Sequence, residues 1–172
     1  MKTLIVIDMQ NDFITGPLGT PEAKAIVPKV KKKIADYRAN GDRIIFTRDT
    51  HFKNYLDTLE GKHLPVEHCI CGSEGWQVPS DLMSYEDIRV NKYSFGYDCW
   101  SEGNYTFEDC ESIELVGVCT DICVVSNALI LKAEYPYIEI TVDASCCAGT
   151  TPENHKAALQ VMKCCHINVV GE

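Results

Sequence analysis

The sequence predicts an α/β fold: a three-layer, doubly wound sheet of about six mainly parallel strands with helices on both faces. Two observations point there. Thr3 to Met9 is an apolar run interrupted only by Asp8, the pattern of a strand covered on both sides. Strand-like and helix-like segments then alternate to the C-terminus, which implies right-handed crossovers between parallel strands.

The first strand stops at Gln10-Asn11-Asp12. After a loop rich in Gly and Pro, Thr20 caps and Pro21 opens a helix. Its Ala23, Ile26, Val27, Val30, Ile34 and Tyr37 recur at spacings of three and four as one apolar stripe, and Asn40-Gly41 ends it. Lys31-Lys32-Lys33 falls on what reads as the solvated face of that helix. Arg43 to Thr47 is a second strand and Ile88 to Asn91 a further one. Ile113 to Val118 and Ile138 to Val142 follow, with a helix from about Asp121 to Glu134 between them. Thr151-Pro152-Glu153 begins the last helix and Ile167 to Val170 is the last strand.

Two segments resist this pattern. Asp49 to Ser80 is a long polar, His-rich excursion, and long irregular loops inside compact folds are usually functional. Cys99 to Glu111 stands where a crossover helix is needed, yet it contains Gly103-Asn104 and is poorly patterned for a helix. No repeat, low-complexity tract or linker divides the chain, so residues 1–172 are expected to form a single domain.

A formal net charge of -9, with no basic run longer than three lysines, argues against nucleic acid or an anionic membrane as a partner and favours small-molecule chemistry. No window approaches the roughly 18 apolar residues of a membrane span. The chain holds ten cysteines, but it begins as a strand and not as a secretory leader, so reduced thiols and a cytoplasmic location are expected. Cys69-Ile70-Cys71, Cys146-Cys147 and Cys164-Cys165 do not reproduce the paired spacing of a structural zinc module.

Chemistry concentrates at Gly117-Val118-Cys119-Thr120-Asp121-Ile122-Cys123-Val124, where a strand runs into a turn and Cys123 opens the next helix. A thiol at a helix N-terminus is expected to ionise below the free value of about 8.5; the competing reading is a buried structural cysteine. In a parallel sheet all strand C-termini share one edge. Asp8, Asp49, Lys92 and Cys123 each follow a strand and are expected to meet there.

Ile7-Asp8-Met9-Gln10-Asn11-Asp12-Phe13, Thr47-Arg48-Asp49-Thr50-His51, Lys92-Tyr93-Ser94-Phe95 and the segment around Cys123 together resemble the isochorismatase-like cysteine hydrolases and, within them, the nicotinamidase branch. The likeness spans nearly the whole chain and implies the family's Rossmann-like sheet. It implies that Cys123 attacks an amide carbonyl, that Asp8 takes the thiol proton and passes it to the leaving ammonia, and that Lys92 holds the two electrostatically. It further implies an oxyanion hole of the Cys119 and Cys123 backbone N–H groups, with a cis peptide before Cys119.

Asp49, His51 and His68 match the family's metal ligands, and Glu60 matches a further carboxylate ligand of some relatives; His63 is a competitor more suited to solvent. Such donors suit a borderline divalent ion, zinc first, with manganese or iron as options. In the resembling enzymes the ion binds the pyridine nitrogen of the substrate, and Phe13 and Phe95 match positions that sandwich its ring. The stretch His63 to His68 lacks the Trp that relatives often carry there, so an aliphatic pocket wall is expected, with Trp76 following the ligand instead. Cys119 lies close enough in sequence to the nucleophile to oxidise with it. The resemblance also implies a small-molecule amide substrate, a role in NAD salvage and pyridine nucleotide biosynthesis, and a homo-oligomer. Two alternatives stand beside it: a hydrolase of another small amide or carbamoyl compound, and a non-catalytic metal or thiol sensor, suggested by the cysteine content.

Overall fold

The computed structural model describes residues 1–102 and 107–172. Strands β1 (Thr3–Ile7), β2 (Arg43–Asp49), β3 (Ile88–Lys92), β4 (Ser112–Val118), β5 (Glu139–Ala148) and β6 (Asn168–Val170) form one parallel sheet in the order β3-β2-β1-β4-β5-β6. Alternating side chains of β1 feed two cores. Leu4 and Val6 pack with helix α2 (Pro21–Ala39), the second helix after the short α1 (Asn11–Ile14). Ile5 and Ile7 face the other way, towards helices α4 (Val125–Glu134) and α5 (Pro152–Cys164). This is the expected three-layer architecture.

Helix α2 begins as its sequence requires. The Thr20 hydroxyl accepts the Ala23 backbone N–H at 3.0 Å and Pro21 fills the first turn. Ala23, Ile26, Val30 and Ile34 are buried, with Val27 and Tyr37 packed at the margin. The lysine run departs from expectation. Lys31 and Lys32 make surface pairs with Asp81 and Asp36, but Lys33 turns inward, 2.6 Å from Glu114 and 2.7 Å from Asp143.

That inward lysine braces an irregularity in β5, which runs past the expected end at Val142 to Ala148. Leu115 pairs with Val142, whereas Gly117, two residues on, pairs with Cys147, so residues 143–146 bulge from the ladder. Asp143 and Ser145 interrupt the apolar run there, which is why the strand reads short in the sequence.

The excursion after β2 contains a 3₁₀ turn, Tyr55–Asp57, and helix α3 (Leu59–His63), capped by the Thr58 hydroxyl. Between Cys99 and Glu111 no helix occurs among the described residues; Trp100 and Phe107 are instead buried in the core beside α4. Gly103-Asn104 lies outside the described residues. Among those residues no helix is long and apolar enough to cross a membrane.

Strand order reverses between β1 and β4, and a crevice opens at their C-terminal ends. Gly117, with φ +120°, permits their close approach: a Cβ there would lie 2.1 Å from the Ile7 carbonyl oxygen. One residue further on, the Val118–Cys119 peptide is cis.

Candidate active site

Asp8, Asp49, Lys92 and Cys123 come together at the crevice. Asp8 follows β1 with φ +47°, a left-handed conformation costing an L-residue about 1–2 kcal/mol and best tolerated by Asn and Asp. The Thr47 hydroxyl on β2 fixes it by accepting the Asp8 backbone N–H at 3.1 Å and donating to Oδ1 at 2.6 Å. Asp8 Oδ2 lies 2.7 Å from Lys92 Nζ. Beyond this ion pair no donor among the described residues reaches Oδ2, so it keeps spare acceptor capacity although it is buried.

Lys92 closes β3 directly beside Asp49 of β2 in the ladder. Its ammonium lies 3.3 Å from Asp49 Oδ1 and 3.5 Å from Cys123 Sγ, and it donates to the Ser94 carbonyl at 3.1 Å. Burial would make Lys92 easier to deprotonate, but the charges of Asp8, Cys123 and Asp49 outweigh that and hold it firmly as an ammonium. Burial, reinforced by the neighbouring Asp49 charge, raises the Asp8 carboxyl above its ordinary 3.8 despite Lys92.

Cys123 corrects the sequence reading in two respects. It occupies the fourth position of a π turn, Thr120–Val124, through which the chain enters α4, and not the first turn of a regular α-helix. Its thiol is pushed well above 9.0 by burial and then by the Asp8 charge, with Lys92 opposing. That direction is opposite to the one expected of a thiol at a helix N-terminus.

A second cluster adjoins the first through Asp49. Asp49, His51, Glu60 and His68 each present a ligand atom, all within 4.8 Å of one another. Asp49 closes β2, the loop that follows supplies His51 and His68, and α3 supplies Glu60, while His63 is exposed to solvent. His68 Nδ1 donates to the Val66 carbonyl at 2.8 Å, which turns Nε2 toward the carboxylates, 3.6 Å from Asp49 Oδ2 and 3.8 Å from Glu60 Oε1. His51 Nε2 lies 2.9 Å from Asp49 Oδ2 and 3.5 Å from Glu60 Oε1. The Tyr55 ring packs edge-on against both imidazoles. Burial opposes charge on Asp49, but hydrogen bonds from both histidines and the Lys92 charge hold it well below the usual carboxylate range. Two imidazole nitrogens and two carboxylate oxygens in a recess fit a borderline divalent cation.

A cavity of about 260 Å³ reaches both clusters, walled by Phe13, Leu18, Leu64, Phe95 and Ile122. Phe13 is buried with its ring edge-on to His68, whereas Phe95 is 45% exposed. Leu64 supplies the aliphatic wall. Trp76 stands off the cavity: its indole N–H donates to Thr50 at 2.9 Å and the Arg48 guanidinium stacks on its ring at 3.8 Å. Cys119 also lines the cavity, and its carbonyl accepts from the Ile122 and Val124 N–H groups at 3.1 and 3.0 Å.

Three fully buried polar residues escaped the sequence reading. Thr47 holds Asp8. Gln10 grips the Asp49 backbone in both directions, donating to its carbonyl at 2.9 Å and accepting its N–H at 2.7 Å, and it also donates to the Trp76 carbonyl. Asn127 lies one turn beyond Cys123 and donates to its carbonyl at 2.8 Å. The available signal was an amide or hydroxyl within or beside an otherwise apolar buried run.

Known proteins resemble this chain over nearly its whole length. The nicotinamidase of Saccharomyces cerevisiae is 28% identical over an alignment of 222 residues covering 100% of both chains. An Arabidopsis thaliana protein described as a probable inactive nicotinamidase is 31% identical over 93% of this chain and 87% of its own. The pyrazinamidase of Pyrococcus horikoshii, solved in complex with zinc, matches with a TM-score of 0.82 and 27% identity over 99% of each chain. The family model described as the isochorismatase domain matches residues 2–171. The chain belongs to the isochorismatase family.

Proposed function

We propose that the protein is a metal-assisted cysteine amidohydrolase acting as a nicotinamidase, converting nicotinamide and water to nicotinate and ammonia through a thioester on Cys123. The observation that carries this reading is the buried Lys92 ammonium, 2.7 Å from Asp8 and 3.5 Å from the Cys123 sulfur. Names of full-length relatives support the substrate, and a 260 Å³ apolar cavity is of a size for a single heteroaromatic ring.

Cys123 Sγ attacks the amide carbonyl as its proton passes to Asp8 Oδ2, the acceptor with spare capacity. A carboxyl raised above its ordinary value is a stronger base for that transfer. Lys92 stabilises the sulfur as negative charge reaches it. The Cys119 and Cys123 backbone N–H groups meet the oxyanion. Asp8 then protonates the departing amine, the C–N bond breaks, and ammonia leaves a thioester. Water next attacks the thioester carbonyl while Asp8 takes its proton; as the C–S bond breaks Asp8 passes that proton to the sulfur, which restores the thiol, and the nicotinic acid released ionises to nicotinate.

Asp49, His51, Glu60 and His68 would hold the divalent ion, zinc first, which when bound supplies a Lewis-acid contact for the ring nitrogen. Phe13 and Phe95 orient the ring. The reading carries with it a cytoplasmic, self-associating enzyme of NAD salvage. Ammonia release from nicotinamide, measured with and without a chelator, tests it. Release is expected from the metal-loaded protein and is abolished in Cys123→Ala, which keeps its metal. No release from nicotinamide, with release from other amides or carbamoyl compounds in a panel, would replace the substrate; turnover retained in Cys123→Ala would overturn the mechanism.

A further inference from the structure

Asn127 spends its whole hydrogen-bonding capacity on joining two parts of the site. One of its amide hydrogens reaches the Cys123 carbonyl at 2.8 Å and the other the Phe95 carbonyl at 3.1 Å. Its carbonyl oxygen accepts the Tyr97 backbone N–H at 3.0 Å and the Trp100 indole N–H at 3.3 Å. Two donors and two lone pairs are the full complement of an amide, and the side chain is completely buried.

The segment that Asn127 holds runs from the end of β3 into the cavity wall. It begins with the Ser94 carbonyl on Lys92 and continues with Phe95, whose half-exposed ring cannot anchor it by packing. Gly96 presses on α4 so closely that a Cβ there would lie 2.4 Å from Ile130 Cδ1. At the other end of the tie, the Cys123 carbonyl lies at the junction where the π turn becomes α4.

We propose that Asn127 is a positioning residue that fixes the Phe95 wall relative to the nucleophile turn, so that ring binding and thiol placement share one support. This rests on the amide-hydrolysis reading above. Asn127→Thr separates the two halves of the tie. A helical threonine hydroxyl can still bond the carbonyl four residues back, at Cys123, but is too short to serve the Phe95 segment.

The test measures nicotinamide kinetics for wild type, Asn127→Thr, Phe95→Ala and the double variant. In parallel, the rate of iodoacetamide alkylation at Cys123 is read by peptide mass spectrometry, which needs no substrate. In Asn127→Thr, KM is expected to rise about tenfold, the size of one lost anchoring contact, with kcat changed far less. Alkylation at Cys123 should quicken several-fold. In the Phe95→Ala background the same substitution should add little to either quantity. Additive effects, or unchanged alkylation in Asn127→Thr, would overturn the proposal. A wild type that releases no ammonia would sink the functional reading and leave alkylation to decide this one. If Asn127→Thr does not fold, Asn127→Ser carries the same expectations.

Discussion

Thr47 and Asp8 hold each other twice, once through the Asp8 backbone N–H and once through its carboxylate, across neighbouring strands. Thr47→Val keeps the shape and deletes both bonds, leaving Oδ1 buried without its donor. It is expected to cost about 1–3 kcal/mol of stability and to lower kcat by roughly 10–100-fold through misplacement of the base. Thr47→Ser should restore most of both. Thermal unfolding with steady-state kinetics checks this, and a wild-type kcat in Thr47→Val would remove Thr47 from the account.

Asp49 serves three neighbours, Lys92 through Oδ1 and His51 and His68 through Oδ2, whereas Glu60 lies beside the two histidines at the cavity and makes no contact with Lys92. Glu60→Ala should therefore weaken metal affinity by at least roughly tenfold and act mainly on KM. His51→Ala should remove the ion and raise KM. Asp49→Ala should remove the ion and lower kcat as well. Elemental analysis after dialysis and kinetics at saturating metal distinguish these outcomes; full metal content in His51→Ala would reject the ligand set.

The acid–base pair sets a pH profile whose sign can be worked out. Asp8 must be ionised to act as a base and its value is raised above 3.8, so kcat/KM should fall as pH drops through a value higher than that of a free carboxylate. Cys123 and Lys92 are both raised, so the thiol and the ammonium persist through neutral pH and no thiol-like rise should appear near 9. A rate that climbs with a pKa near about 8.5 would mean that the thiolate is the reactive resting form.

Lys33 offers a stability test far from the cavity. Burial opposes its charge, but hydrogen bonds to Asp143 and Glu114 prevail and raise its pKa. That contribution is complete below the ordinary lysine value and fades as pH rises through the raised one. Burial likewise opposes charge on Asp143, whose value is nevertheless lowered, chiefly by Lys33. Its contribution is complete above 3.8 and is lost as pH falls through the depressed value. Lys33→Met should cost about 1–3 kcal/mol at neutral pH, less than the roughly 3–5 of a fully buried pair because the site is partly wet. Thermal melts across pH measure it; an unchanged melting temperature would show that the bulge at residues 143–146 stands without its brace.

The regular parts of this molecule were legible because burial on both faces writes itself as unbroken apolar strands, and because Thr20-Pro21 and Thr151-Pro152 announce helix starts. The convergence of Asp8, Asp49, Lys92 and Cys123 followed from parallel topology alone. Less legible was whatever depends on fine geometry. A π turn has no distinct pattern in Thr120 to Val124, so Cys123 read as opening a regular helix, and the burial and Asp8 charge that raise its pKa come from distant parts of the chain. Lys33 read as surface because its partners, Glu114 and Asp143, lie far along the chain. Asn127, inside the expected helix, carried no signal because three of its partners, Phe95, Tyr97 and Trp100, belong to a loop without periodicity.

Strand β1 is buried at all five positions and hydrogen-bonded on both sides. Its amide protons should exchange only when the whole molecule opens, and Asp8 is tethered to that most protected part. Glu60 rides on a five-residue helix and Phe95 on an irregular turn, where small openings cost little. The proton-handling groups are thus built into the last region to yield, and the ion and the ring are received by the first. Mild denaturant should strip the rim of its ligands while the sheet, with its acid still in place, remains folded.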